Sequence, residues 1–190
     1  MNKEIKPIFI VNLLVVYKII FKNIAEIVMI AQSDYPLRDF SISLYPSAKE
    51  IMGMDFLCFI SPWNEKDYRE MQNQPSFNNW LLKNTDDCAL GMLAFQSIPP
   101  ELEILRLGVH PNWRKQGLAE FLLTNLEIYA KREKIAAIWL EVHEDNKSAI
   151  SLYSKFAYKE IGRRYNYFRN PSGDALLFKK LLKHDTLLMV

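Results

Sequence analysis

Apolar and polar positions along the chain follow two periods, and the change from one to the other is sharpest between residues 101 and 133. Leu105, Leu107 and Val109 alternate with other residues as in a strand, which is read over 101–109. His110-Pro111-Asn112 stops it. Leu118, Leu122, Leu126 and Tyr129 then recur at helical spacing and predict a helix through Glu133. A further apolar run at 135–142 reads as a strand, bounded by charged residues before it and by His143-Glu-Asp-Asn after it. Strand, helix and strand in that order make a right-handed βαβ unit.

The rest of the chain is organised around that unit. Alternation predicts a first strand at 40–44, and Pro46-Ser47 opens a helix. Residues 59–68 read as a loop entering a short helix. Strands at 88–95 and 101–109, joined by the turn Ile98-Pro-Pro, form the antiparallel part of a sheet. Ile150, Tyr153 and Phe156 place a second long helix over 147–156, and two closing strands, 158–168 and 174–182, flank the turn Asn170-Pro-Ser-Gly. No element is read between 69 and 87. The chain divides into a helical extension, 1–35, and a single α/β domain, 36–190.

Residues 7–31 are strongly apolar yet interrupted by Lys18, Lys22, Asn23 and Glu26, which with Asn12 share a sector roughly 140° wide at about 100° per residue. That is an amphipathic helix. A spanning helix needs about 20 predominantly apolar residues, and the uncharged run 7–17 is shorter than that. A packed appendage, an anchor lying on a membrane surface and a dispensable extension from an upstream start all fit the pattern.

At 190 residues and 49% hydrophobic, the chain buries a real core, and a net charge of +2 demands no nucleic-acid partner. Basic clusters at Arg114-Lys115 and at Arg163, Arg164 and Arg169 are local exceptions. Cys58 and Cys88 have neither metal-ligand nor disulfide spacing, which suits a reducing cytoplasm, and His110, His143 and His184 form no metal-binding motif. No metal is expected.

Candidate chemistry concentrates in four places. Arg114, Lys115, Gln116, Gly117, Leu118 and Ala119 join the strand to the central helix, where small residues allow close backbone approach and the first N–H groups of the helix are free. With two cations beside them they suit a pyrophosphate, against the alternative of an ordinary basic first turn. Glu141 lies in the apolar strand; alternation puts Ile138, Leu140 and Val142 on one face and Trp139, Glu141 and His143 on the other. A carboxylate there is paired, hydrated or a general base whose pKa burial raises. Tyr153 on the following helix is core or a proton donor, and Asn146 is that helix's N-cap, a cofactor contact, or both. Trp63 is core or the wall of an acceptor groove.

The order Val109-x-Pro111, then Arg114-x-x-Gly117-x-Ala119, resembles the acetyl-CoA motif of the GNAT-type N-acetyltransferases. From Trp63 to about Leu182 the chain is similar to the ribosomal-protein-alanine N-acetyltransferases among them, through Pro62-Trp-Asn-Glu-Lys66, Trp139-Leu-Glu-Val142, Asn146, Ala149-Ile-Ser-Leu-Tyr153 and Asn166-Tyr167. The resemblance implies an α/β (α+β) fold, with a mixed central sheet whose parallel strands splay between flanking helices. Its implied cosubstrate is acetyl-CoA, held by Leu107, Gly108, Val109, residues 114–119 and Asn146. It implies Glu141 as base, Tyr153 as acid, and Trp63 and Tyr167 against an acceptor that is a protein N-terminus, the terminal alanine of a small-subunit ribosomal protein. An acetyltransferase for a lysine, polyamine or small amine keeps the same fold. A noncatalytic acyl-CoA-binding module that recruits partners is the reading from another class.

Overall fold

In the computed structural model, residues 40–183 are described; the extension read at 1–35 lies outside them. Seven strands form one sheet in the order β1-β2-β3-β4-β5-β7-β6. They are β1 (Phe40–Ser43), β2 (Phe77–Asn84), β3 (Ala89–Ile98), β4 (Glu101–Val109), β5 (Ala137–His143), β6 (Lys159–Arg169) and β7 (Ser172–Leu181). The helices are α1 (Ala48–Cys58), α2 (Glu65–Gln72), α3 (Leu118–Arg132) and α4 (Lys147–Lys155). Neighbouring strands run antiparallel except β4 and β5, which the α3 crossover makes parallel.

Each face of the sheet carries its own core. On one, Leu118, Phe121, Leu122 and Leu126 of α3 pack with Trp80, Leu93, Phe95, Ile138 and Leu140 of the strands and with Tyr153 of α4. On the other, Ile51 and Met54 of α1 and Tyr68 of α2 cover Phe77, Leu81, Met92 and Ala94. Each such leucine or phenylalanine contributes on the order of 2 kcal/mol when removed from water. Among the described residues no helix is long and apolar enough to cross a membrane.

The strand β2 was not legible as a period-two pattern. Its centre, Trp80-Leu81-Leu82, is continuously apolar because Trp80 and Leu82 face the α3 core while Leu81 faces the α1–α2 core. Two Asn residues at its start weaken the strand signal further.

Two irregularities of β4 shape the site. Its pairing with β5 spans only Glu101↔Ala137 to Ile104↔Leu140, so both strands continue beyond that point without each other. Opposite β3, Ala94 pairs with Arg106 and Phe95 with Ile104, which leaves Leu105 as an extra, bulged residue. The bulge turns Leu105 and Arg106 to the same face. Leu105 packs with the α1–α2 core and Arg106 reaches Asp55 of α1, whereas Leu107 and Val109 rejoin the α3 face.

Candidate active site

Where β4 and β5 part, a cleft of about 640 Å³ opens between α3 and α4. Leu107, Gly108 and Val109 line it from β4, Arg114, Lys115, Gly117, Leu118 and Ala119 from the loop and helix, and Asn146 and Tyr153 from α4 and its cap. Gln116, expected with them, is exposed and is not part of the lining. Trp63, Glu141 and Tyr167 do not line it either.

The loop owes its shape to left-handed residues. Lys115 has φ 60° and Gly117, the N-cap of α3, has φ 80°. At such an angle glycine has little steric cost, and it brings no side chain to occupy the helix end. Helices α1 and α2 are closed by capping boxes, Ser47 with Glu50 and Asn64 with Asp67, and α4 by Asn146, whose Oδ1 accepts from the Ala149 N–H at 3.2 Å. Gly117 makes no side-chain cap bond, so the opening amides of α3 stay available at the positive end of the helix dipole. Arg114 is steadied beside them by donating from Nε to the Val109 carbonyl at 3.2 Å. The β4 edge left unpaired past Ile104 and an uncapped helix end together fit an extended ligand that carries amides and a pyrophosphate.

Tyr153 is buried, with its exposure at 6%, and its hydroxyl has no hydrogen-bond partner among the described residues. Burial pushes its pKa well up, so it holds its proton. Cys58 also lines the cleft, but burial pushes its thiol up to about 11, and it is in contact with the Met54 sulfur rather than a base. It is a poor nucleophile.

Glu141 faces away from the α3 core. Its side chain is 13% exposed, with Oε1 3.1 Å from Arg164 Nε on β6. The Tyr167 hydroxyl is beside Glu141, and that carboxylate is the main reason Tyr167's pKa is raised. Arg164 lies over the Tyr167 ring at 5.4 Å. Glu103 of β4 is a second carboxylate in reach: burial first, then the Glu141 charge, pushes its pKa up. Of the basic residues that stood out in the sequence, Arg164 is thus committed to Glu141, and Arg163 pairs with Glu144 and Asp174 at 3.0 Å each.

A buried ion pair flanks this face from the α1 side. Asp55, fully buried, pairs with Arg106 Nη1 at 3.0 Å and accepts from the Tyr68 hydroxyl at 2.9 Å and the Trp63 N–H at 2.8 Å. The sequence pattern leaves Asp55, Glu103 and Arg106 unmarked and marks Arg164 only as charge. The argument applied to Glu141, that a charge within an apolar run needs a partner, would have singled out Arg106 in Leu-Arg-Leu and Asp55 in Met-Asp-Phe. Among the described residues no three His, Cys, Asp or Glu side chains are grouped to hold a metal.

The Acetyltransferase (GNAT) family model matches residues 48–158. The "[Ribosomal protein bS18]-alanine N-acetyltransferase" of Escherichia coli K12 is 30% identical over 118 residues, 61% of this chain and 78% of that protein. The putative enzyme of that name from Bacillus subtilis is 28% identical over 120 residues, 63% of this chain and 79% of its own. Among solved structures, the E. coli ribosomal-protein-S18-alanine N-acetyltransferase superposes with a TM-score of 0.70 at 23% identity, covering 78% of this chain and 98% of that one. A GNAT acetyltransferase from Elizabethkingia anophelis, solved with acetyl-CoA bound, gives 0.64 at 16% identity over 76% of this chain and 99% of its own. With its family motif spanning α1 to the end of α4 and its parted strands opening onto an uncapped helix end, the chain belongs to the GNAT family and is an N-acetyltransferase.

Proposed function

We propose that the enzyme transfers the acetyl group of acetyl-CoA to the N-terminal α-amine of a protein, with the terminal alanine of a small-subunit ribosomal protein as its acceptor. The observation that carries this reading is the division of labour about the parted strands: Tyr153 in the cleft on one side, and Glu141 with Arg164 and Tyr167 on the other. Relatives 30% and 28% identical to this chain are named for that acceptor.

In this reading the main chain of 107–109, residues 114–119 and Asn146 hold acetyl-CoA, which supplies the activated acyl group. Glu141 accepts the proton of the incoming ammonium. An α-amine has a pKa near 8, against about 10.4 for lysine, so roughly a tenth is already neutral at about pH 7 and the base has a short task. Tyr153 donates its retained proton to the departing thiolate. The raised pKa of the Cys58 thiol favours direct attack by the amine over a cysteine-bound acyl group. Trp63 and Tyr167 border the acceptor. A ribosomal acceptor puts the enzyme in the cytoplasm.

Mass spectrometry of three acceptors incubated with enzyme and acetyl-CoA tests this: a basic peptide beginning with alanine, the same peptide with a blocked N-terminus and a free lysine, and spermidine. Acetylation of the first alone is expected. Faster modification of either other acceptor overturns the α-amine assignment.

A further inference from the structure

We infer that Arg106 is a positioning residue for the acceptor: it fixes the loop 59–64 as one wall of the acceptor groove without touching the reacting atoms. The inference rests on the proposed acceptor face and adds to it a residue that acts through others. The bulge at Leu105 delivers Arg106 to the α1 side of β4, where its guanidinium makes three kinds of contact at once. Nη1 pairs with Asp55 at 3.0 Å, and Nη2 donates to the Ser61 carbonyl at 3.0 Å. Its Cζ lies over two rings, 4.7 Å from the centroid of Phe59 and 4.4 Å from that of Trp63. Asp55 in turn accepts from the Trp63 N–H, so both ends of the loop are tied to one ion pair.

That loop joins the two halves of the site. Phe59 lines the cofactor cleft and is seated on Gly108, where a Cβ would stand 2.9 Å from its ring and 2.7 Å from the Cβ of Cys58. Two residues on, the Ser61 hydroxyl donates to the Asn170 carbonyl at 3.1 Å, which links the loop to the β6–β7 turn and thus to the strand bearing Arg164 and Tyr167. Arg106 therefore sets where Phe59, Ser61 and Trp63 stand relative to Glu141.

Stability alone does not explain the pair. Arg106 is 12% exposed and Asp55 is not exposed at all, and an apolar pair of similar volume commonly serves a fold as well or better than a buried ion pair. What an apolar pair lacks is direction. Lysine retains the charge but has neither the forked donors nor the flat surface that meets the two rings.

The test uses the full chain with Arg106→Lys, which leaves Asp55 a counter-ion, and a double variant, Asp55→Leu with Arg106→Met, which removes both charges. Both are expected to fold, Arg106→Lys with near-parental Tm and the double variant with a lower one, because the Tyr68 hydroxyl and the Trp63 N–H lose their acceptor. The KM for the alanine peptide should rise about tenfold in each, with kcat at saturation and the acetyl-CoA Kd within about twofold of the parent, as for an interaction that locates the acceptor. Amide exchange over 59–64 should quicken about tenfold while α3 is unchanged. Parental KM and exchange in the two folded variants would overturn the proposal, as would acetyl-CoA affinity that falls in step with the peptide's. If the parent acetylates a different amine, the acceptor reading fails and the KM comparison is made on that amine. If it acetylates none, the exchange comparison decides.

Discussion

The cofactor cleft and the proposed acceptor face meet where β4 and β5 part and are assembled differently. The cleft takes its lining from short contiguous stretches, the end of α1, β4, the loop into α3 and the length of α4, and at the start of α3 it offers free main-chain amides. The acceptor face takes single side chains from many places: Asp55 from α1, Trp63 from a loop, Glu103 and Arg106 from β4, Glu141 from β5, Arg164 and Tyr167 from β6. A main-chain cradle tolerates changes of side chain as long as the backbone keeps its conformation. A face made of distant side chains is re-shaped by one substitution, which is how one fold serves many acceptors.

The largest effect expected from breaking this contrast is Gly117→Glu. It puts a branch-free backbone position at φ 80° under steric strain and sets a negative charge at the uncapped end of α3. Calorimetry should show acetyl-CoA binding weakened by at least about 100-fold. Gly117→Ala, with strain but no charge, should lose far less, and equal losses in the two would assign the effect to backbone strain.

On the other side of the strands, Glu141→Gln should lower turnover by about 10² at neutral pH with acetyl-CoA affinity unchanged. The deficit should shrink as pH rises past about 8, where the α-amine sheds its own proton. Tyr153→Phe keeps the ring in the core and should slow turnover about tenfold, again with little change in affinity. A Glu141→Gln enzyme running at parental rate near pH 7 would return that residue to a purely structural ion pair with Arg164.

The smallest effect is a control at a helix end that is closed. Ser47→Ala removes the α1 cap and should cost about 1 kcal/mol of stability with kinetic constants unchanged. Its partner Glu50 is held down to about 2 by hydrogen bonds from Ser47, with Lys83 assisting. A depressed carboxylate stabilises the fold above its ordinary range near 4 and ceases to do so as pH falls toward 2. Because Glu50 and Ser47 are exposed, that acid loss in thermal melts should be small and reduced by salt.

How much of this was legible in the sequence follows the same contrast. The loop 114–119, the strand bearing Glu141 and the helix bearing Tyr153 declare themselves locally, because strand period, breaker and helix period succeed one another within a few residues. β4 was read with its observed bounds, and β5, β6, β7, α3 and α4 within a few residues of theirs. The strand β2 escaped, since burial on both faces erases the alternation that marks a strand. Arg106 stands as a charge in an apolar run, but its direction depends on a bulge defined by pairing with β3, which no local pattern encodes. Arg164 stood out as charge, but only the fold of β6 onto β7 and β7 onto β5 gives it Glu141 as a partner.

The short seam between β4 and β5 has a thermodynamic consequence. Four residue pairs join a block of β1 to β4 with a block of β5 to β7, and the ligand cleft begins where those pairs end. A molecule lying in the cleft bridges the two blocks, so part of its binding free energy is spent on holding them at one separation, and by mass action the bound protein resists unfolding more than the free one. Affinity is then not a local property of the cleft. Softening the seam at Leu102 or Leu140, buried in the α3 core and outside the cleft lining, should register as weaker binding of a ligand neither residue meets.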